Sequence, residues 1–224
     1  RSLANRINAK KVHQYIYTHA GGNMPQWSVN KLCELISKGE VKTALIAGGE
    51  SLYTQKKAQR LGIKLDWNED IKNNFEEWGI NKKGWSTSED NHGMKGAIYA
   101  YPLIENAIRG NEKRSISEHS KEMGRILSKF ANIAKNNPLA DRKKGYTAKE
   151  ISDVSDLNPY IGFPYTKLMN ANAFIDQAAA IILTNVEHAK KIGIPRDKWV
   201  YLHGCADAYD HWHLSDRINF HSSP

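Results

Sequence analysis

The feature that most restricts how this chain can fold is a double change of hydrophobic period within its first 50 residues. Between Lys10 and Thr18 the β-favouring residues Val12, Tyr15, Ile16 and Tyr17 run into the turn signal Gly21-Gly22-Asn23, which reads as a strand entering a tight loop. Pro25 then suits the first turn of a helix, and Val29, Leu32, Cys33 and Ile36 recur at i, i+3, i+4 and i+7. Gly39 is a natural helix stop, so residues 25 to 38 are predicted to form an amphipathic helix. Thr43-Ala44-Leu45-Ile46-Ala47, ending in Gly48-Gly49-Glu50, carries no charge on either face, the pattern of a buried parallel strand. Strand, loop, helix and strand make a βαβ unit, which places the chain in the α/β class.

Beyond this unit the signal alternates between polar stretches and clear elements. From Lys64 to Gly96 the sequence is polar, with Trp67, Trp78 and Trp85 spaced through it and no sustained period, and reads as an inserted loop region. Order returns from Ala97 to Arg109. A second helix is predicted from Ser117 to Lys135, with Met123, Ile126, Leu127, Phe130, Ile133 and Ala134 on one face and Ser115 with Glu118 as a capping box. Asn137-Pro138 and Asn158-Pro159 bracket another polar stretch with a short helical piece from Ala148 to Asp153. Ala178 to Thr184 then reads as a buried strand, Val186 to Lys191 as a helix and Trp199 to His203 as a further strand, with Pro195 in the turn between them. That is a second β-α-β succession.

Composition narrows the classes of function. With 224 residues, 40% hydrophobic and 25% charged, the chain can bury a core, and no run approaches the roughly eighteen apolar residues of a membrane helix. Cys33 and Cys205 are too few for a disulfide framework, which suits a reducing, cytoplasmic compartment. The net charge of +8 suits an anionic partner, either nucleic acid or a phosphorylated small ligand. The aromatic residues are not interleaved with a basic stripe, so nucleic acid ranks last. His203, Cys205, His211 and His213 are spaced H-x-C and H-x-H, which matches no closed metal site.

The segment Asn170-Ala-Asn-Ala-Phe-Ile-Asp176-Gln-Ala-Ala-Ala180, followed by an Ile-Ile-Leu strand, resembles the thiolase segment N-A-S-G-x-N-D-G-A-A-A and the strand after it. Upstream, Asn137-Pro-Leu-Ala140, Tyr146-Thr-Ala-Lys-Glu-Ile151 and Phe163-Pro-Tyr-Thr-Lys-Leu-Met169 resemble, in the same order, the sterol-carrier-protein branch of thiolases. Gly48-Gly49-Glu50 is similar to the strand end that follows the family's first helix, and the resemblance covers about residues 10 to 53 and 92 to 224. It implies an α/β thiolase-like fold of stacked α-β-α-β-α layers with an inserted helical loop domain that binds coenzyme A. Residues 1–53 would belong to the first half, 54–165 to the loop domain and the return, and 166–224 to the end of the first half and the start of the second. The family's N-E-A-F, G-H-P and C-x-G motifs are absent from these residues, so the resemblance implies a chain covering only part of that fold.

The resemblance also locates a site. Thiolases acylate a cysteine at the start of the helix after the first loop, where helix-terminal N–H groups favour its thiolate. The equivalent position here is Gly22 or Asn23, so the nucleophile is missing and no catalytic residue is assigned. Cys33 lies roughly 12 Å further along the helix on its apolar face, as a packed thiol, and Cys205 is read as structural too. Gly22 and Asn23 are expected to offer backbone N–H groups to a carbonyl oxygen. Asn172 stands where thiolases have the serine that contacts the pantetheine arm, flanked by Ala171 and Met169, while Asp176 matches a family aspartate read as structural. Lys64, Lys72, Lys82, Lys83, Arg109, Lys113 and Arg114 supply cations to the implied loop domain, for coenzyme A phosphates or simply for solvent. The resemblance thus implies an acyl-CoA-binding protein of the acetyl-CoA acetyltransferase family, with coenzyme A or acyl-CoA as its ligand, no covalent cofactor and no metal, and a homodimer as its assembly. The alternative is a carbon-carbon lyase cleaving a hydroxyacyl-CoA, with a tyrosine or histidine as base.

Overall fold

The computed structural model describes residues 3–67 and 74–223. Along the chain run α1 (Leu3–Arg6), β1 (Ile16–Thr18), α2 (Met24–Ser37), β2 (Thr43–Ser51), α3 (Leu52–Arg60), β3 (Glu76–Trp78), α4 (Thr87–Asn91), α5 (Ala97–Asn111), α6 (Ile116–Lys135), α7 (Ala148–Ser152), β4 (Tyr160–Gly162), β5 (Tyr165–Thr166), β6 (Asp176–Thr184) and α8 (Val186–Lys191). They fall into two units, Arg1–Lys82 with Phe174–Asp207, and Lys83–Ala173 with Ala208–Pro224.

In the first unit α2 forms as its period predicts. Met24, Leu32 and Ile36 are buried, Val29 and Cys33 are half-buried, and Gly39 takes the left-handed φ of +75° just past the helix end. The strand that follows corrects two expectations. β2 pairs antiparallel with β6, from Thr43 opposite Thr184 to Ser51 opposite Asp176. β1 pairs instead, in parallel, with β3, so β1, α2 and β2 do not form a βαβ unit in one sheet. An uncharged apolar run favours a strand but carries no information on the direction of its partner. Nor are the strands fully buried: α2 and α3 contact the β2–β6 pair, yet Leu45, Ile181 and Ile182 stay exposed in it.

Two other segments of this unit depart from their sequence pattern. β3 sits inside the stretch expected to be loop, where Glu76 and Glu77 face solvent and only Trp78 is buried. The Trp78 indole meets Trp27 edge-on at 5.6 Å and donates from Nε1 to Glu76 at 2.6 Å. The strand predicted from Trp199 to His203 is not one. The segment makes no ladder among the described residues, and Val200 is 97% exposed. Its aromatic residues nonetheless succeed one another along the chain, with Trp199 edge-on to Tyr201 at 6.2 Å and Tyr201 6.5 Å from His203. β-favouring residues bias the backbone, but a strand also needs a hydrogen-bonded neighbour, and the second β-α-β succession therefore stops at α8.

In the second unit α5 contains Pro102, which has no N–H for the carbonyl four residues back. That carbonyl, on Ile98, faces Gly162 of β4, where a Cβ would sit 3.1 Å from it and 3.1 Å from Pro102 Cγ. Ser115 and Glu118 make the predicted capping box on α6, and Ser86 with Glu89 and Thr147 with Glu150 repeat it on α4 and α7. α7 closes on α6 at Gly124, where a Cβ would lie 2.5 Å from the Ala148 carbonyl oxygen. The Asn158 amide nitrogen donates to the Glu150, Ile151 and Asp153 carbonyls at 3.2, 3.1 and 2.9 Å, and its oxygen accepts from Leu168 N–H at 2.9 Å. This buried side chain completes the end of α7 that its own sequence leaves open. The predicted apolar face of α6 splits: Met123 is buried together with His119 and Gly124, whereas Ile126, Phe130 and Ile133 are exposed.

Candidate functional site

The loop that the sequence resemblance assigns to the nucleophile's place, at Gly22 and Asn23, leads into α2. Met24 N–H donates to the Gly21 carbonyl at 3.1 Å and Trp27 N–H to the Asn23 carbonyl at 3.0 Å, which fixes the turn and the first helical bond. Asn23 is the N-cap residue, but its side chain does not cap the helix. It lies over Gly21, where a Cβ would come 2.8 Å from Asn23 Oδ1, while Gly22 stands in open space.

Neither cysteine has the setting of an activated thiolate. Burial pushes the Cys33 thiol up and neighbouring Cys205 pushes it further, the opposite of what a nucleophile requires. Cys33 is half-buried, consistent with a packed thiol, whereas Cys205 is exposed. Asn30, one turn before Cys33, holds the chain after Cys205 against α2, donating to Asp207 Oδ1 at 2.9 Å and to the Ala206 carbonyl at 3.5 Å.

Gly22 and Asn23 belong to the first unit, and Met169, Ala171 and Asn172 to the second. Met169 ends a short 3-10 turn and is half-buried, whereas Ala171 and Asn172 are exposed. The neighbouring Asn170 amide donates to the Thr166 carbonyl at 2.8 Å. Asp176, at the start of β6, accepts from the Thr54 hydroxyl and from Thr54 N–H at 3.1 Å, in the first turn of α3. Those two bonds, the hydroxyl first, hold its carboxyl below the ordinary range, which is the work of a structural aspartate. Among the basic residues, Arg109 Nη1 donates to the Arg114 carbonyl at 3.0 Å and Arg114 pairs with Glu112 at 2.8 Å. Lys72 lies outside the described residues. No group of three or more His, Cys, Asp or Glu able to hold a metal ion occurs among the described residues.

Two polar assemblies in the second unit were missed by the sequence reading. A cavity of about 410 Å³ is lined by Ser88, Glu89, His92, Met94, Tyr99 and Leu103 among others, a size suited to a small ligand. Glu89, only 4% exposed, accepts from Ser86 N–H at 2.6 Å and Ser215 N–H at 2.7 Å. Burial pushes its carboxyl up, but the hydrogen bonds from Ser86 and Ser215 outweigh burial and hold it at about 2. His92 Nδ1 lies 2.8 Å from the Ser88 carbonyl. The S-x-x-E spacing at Ser86 was a visible signal, but its second partner, Ser215, was not.

The other assembly joins three elements. His119 Nε2 lies 2.7 Å from Glu105 Oε1, and the Tyr165 hydroxyl donates to Glu105 Oε2. Burial, and then Glu105, push the Tyr165 hydroxyl well above the usual tyrosine range, so it remains a donor and does not act as a base. His119 is 3% exposed. The cluster clamps α5, α6 and β5 together.

No protein-family model matches the sequence, and no curated protein matches it. Among solved structures the chain is similar to a monomeric SCP2-thiolase like protein type 1 from Mycobacterium smegmatis, with a TM-score of 0.70 and 27% sequence identity. The likeness covers 90% of this chain and 37% of that one, so this chain spans well under half of the protein it matches. With its helices and small sheets superposing at that level over nine-tenths of its length, the chain has an α/β fold of the SCP2-thiolase-like kind.

Proposed function

We propose that this protein binds acyl-CoA and forms no acyl-enzyme at the loop that thiolases use. The observation that carries the reading is the SCP2-thiolase-like fold. Gly22 and Asn23 occupy the nucleophile's place, and Cys33 is a packed thiol raised by burial, so the fold is retained without the covalent step. In this reading Gly22 and Asn23 offer backbone N–H groups to a carbonyl oxygen, and Asn172, flanked by Ala171 and Met169, is a separate candidate partner for a pantetheine amide. The net charge of +8 favours a ligand rich in phosphate. The described tyrosine-histidine pair does not strengthen the lyase alternative, because Tyr165 and His119 are both committed to Glu105. The solved neighbour is described as monomeric, so the comparison lends no support to a homodimer, and the binding unit proposed is a single chain.

Calorimetric titration with acetyl-CoA and free coenzyme A, run beside a thiolysis assay on acetoacetyl-CoA, tests the proposal. Saturable binding without thiolysis is the expected result. Robust thiolysis would show that a nucleophile acts elsewhere in the chain, and absence of binding would remove the coenzyme A reading.

A further inference from the structure

The two cysteines of the chain both belong to the first unit, Cys33 on α2 and Cys205 on the segment that follows Trp199. Asn30 ties the two elements together: its amide donates to Asp207 Oδ1 at 2.9 Å and to the Ala206 carbonyl at 3.5 Å. Cys205 immediately precedes Ala206, and Cys33 stands three residues beyond Asn30, on the same side of the helix and about 4.5 Å further along its axis. The thiols are near enough for negative charge on Cys205 to oppose ionisation of Cys33, the second cause, after burial, of its raised thiol. No third cysteine competes for either partner.

A disulfide needs Cα atoms about 4.4–6.8 Å apart, and the segment carrying Cys205 is free to adjust to that. From Val200 to Cys205 no main-chain group makes a backbone hydrogen bond among the described residues, and Gly204 has open space on its Cβ side. The two thiols differ in access, Cys205 being exposed and Cys33 half-buried. We propose that Cys33 and Cys205 close reversibly into a disulfide by exchange with a small disulfide of the glutathione class, locking the segment from Cys205 to Asp207 onto α2. The Cys205 thiolate attacks one sulfur of the glutathione disulfide, that S–S bond breaks, and one glutathione leaves and takes up the proton that Cys205 gave up. Cys33 then loses its proton and attacks the Cys205 sulfur of the mixed disulfide, expelling the second glutathione, which takes up that proton. Two protein thiols are oxidised by two electrons, and one glutathione disulfide is reduced to two glutathiones. Exposure makes Cys205 the first attacker. Cys33, raised by burial, is the resolving thiol, held beside its target by the Asn30 contacts. In a reducing compartment such a bond is transient, and its formation reports a rise in oxidised glutathione.

The test is incubation of the native chain in buffers of reduced and oxidised glutathione, followed by acid quenching and intact-mass measurement. The expected wild-type product is lighter than the reduced chain by two hydrogens, monomeric on a non-reducing gel and restored by dithiothreitol. Cys33→Ser is expected to stop at the glutathione adduct on Cys205, and Cys205→Ser to stay unmodified. Asn30→Ala releases the segment and is expected to lower the closing equilibrium about tenfold. A wild-type chain that keeps two free thiols or the glutathione adduct, a disulfide joining two chains through Cys205, or closure that Asn30→Ala leaves unmoved overturns the proposal. So does closure seen only in urea, which would show that the folded chain holds the pair apart.

Discussion

Replacing Glu89 with glutamine tests the clearest electrostatic claim made by the second unit. The carboxylate is almost fully buried and accepts two main-chain N–H groups, from Ser86 at 2.6 Å and Ser215 at 2.7 Å. Glutamine keeps one acceptor oxygen and turns an NH₂ group toward the other donor. A hydrogen bond to a charged group contributes about 1.5–3 kcal/mol, and a stranded buried donor costs about 1–3 kcal/mol, so the loss is about 3 kcal/mol. For a chain of this size that corresponds to a fall in Tm of roughly 6–12 °C at neutral pH. The carboxyl is held at about 2 against an ordinary value of 4.5. A depressed carboxyl contributes stability that is fully present above the ordinary value and is lost as pH falls toward the folded one. The Tm gap between wild type and Glu89→Gln, followed by thermal circular dichroism, is therefore expected to be constant from pH 7 to about 5 and to close between about 4.5 and 2. A gap that stays constant down to pH 2.5, or a variant melting within about 1 °C of wild type at pH 7, would refute the argument.

Two further substitutions probe packing in the same unit. Gly124→Ala places a methyl group 2.5 Å from the Ala148 carbonyl oxygen, so α7 must move, and a loss of about 1–3 kcal/mol is expected in urea unfolding. Asn158→Ala strips the amide from three carbonyls at the end of α7 and from Leu168 N–H. It is expected to cost about 2–4 kcal/mol and to raise amide exchange at Leu168 first; an unchanged unfolding midpoint would show that water replaces the amide.

What the sequence made legible was whatever depends on neighbours within a few positions. α2 and α6 follow from apolar spacing, and the Ser115–Glu118 box from a three-residue offset, because helix chemistry is local. Strand pairing was not legible: Leu45 finds Ile182 and Ile16 finds Glu76, and no local pattern in either segment names its partner. α3 escaped for a related reason, since only Ala58 of its length is buried and its first turn is held by Asp176 from far along the chain. Within the candidate site, the expectation at Gly22 and Asn23 came from the resemblance and not from any local pattern. The Glu89 and Glu105 assemblies could not be read, because Ser215, His119 and Tyr165 reach them only through tertiary folding.

The ladder between β2 and β6 has a consequence for the order in which the chain can assemble. Thr54 and the Asp176 that holds it are 122 positions apart, and every rung of the ladder spans a comparable stretch. Closing so long a loop is entropically slow, and on the ribosome β2 emerges well before its partner exists. The helices from Ala97 to Ser152 find neighbours within the intervening stretch, α6 against α7 and α5 against β4, and need not wait. β2 is therefore made early and paired late, with Leu45 and Ile46 on an unpaired strand edge until Ile181 and Ile182 arrive.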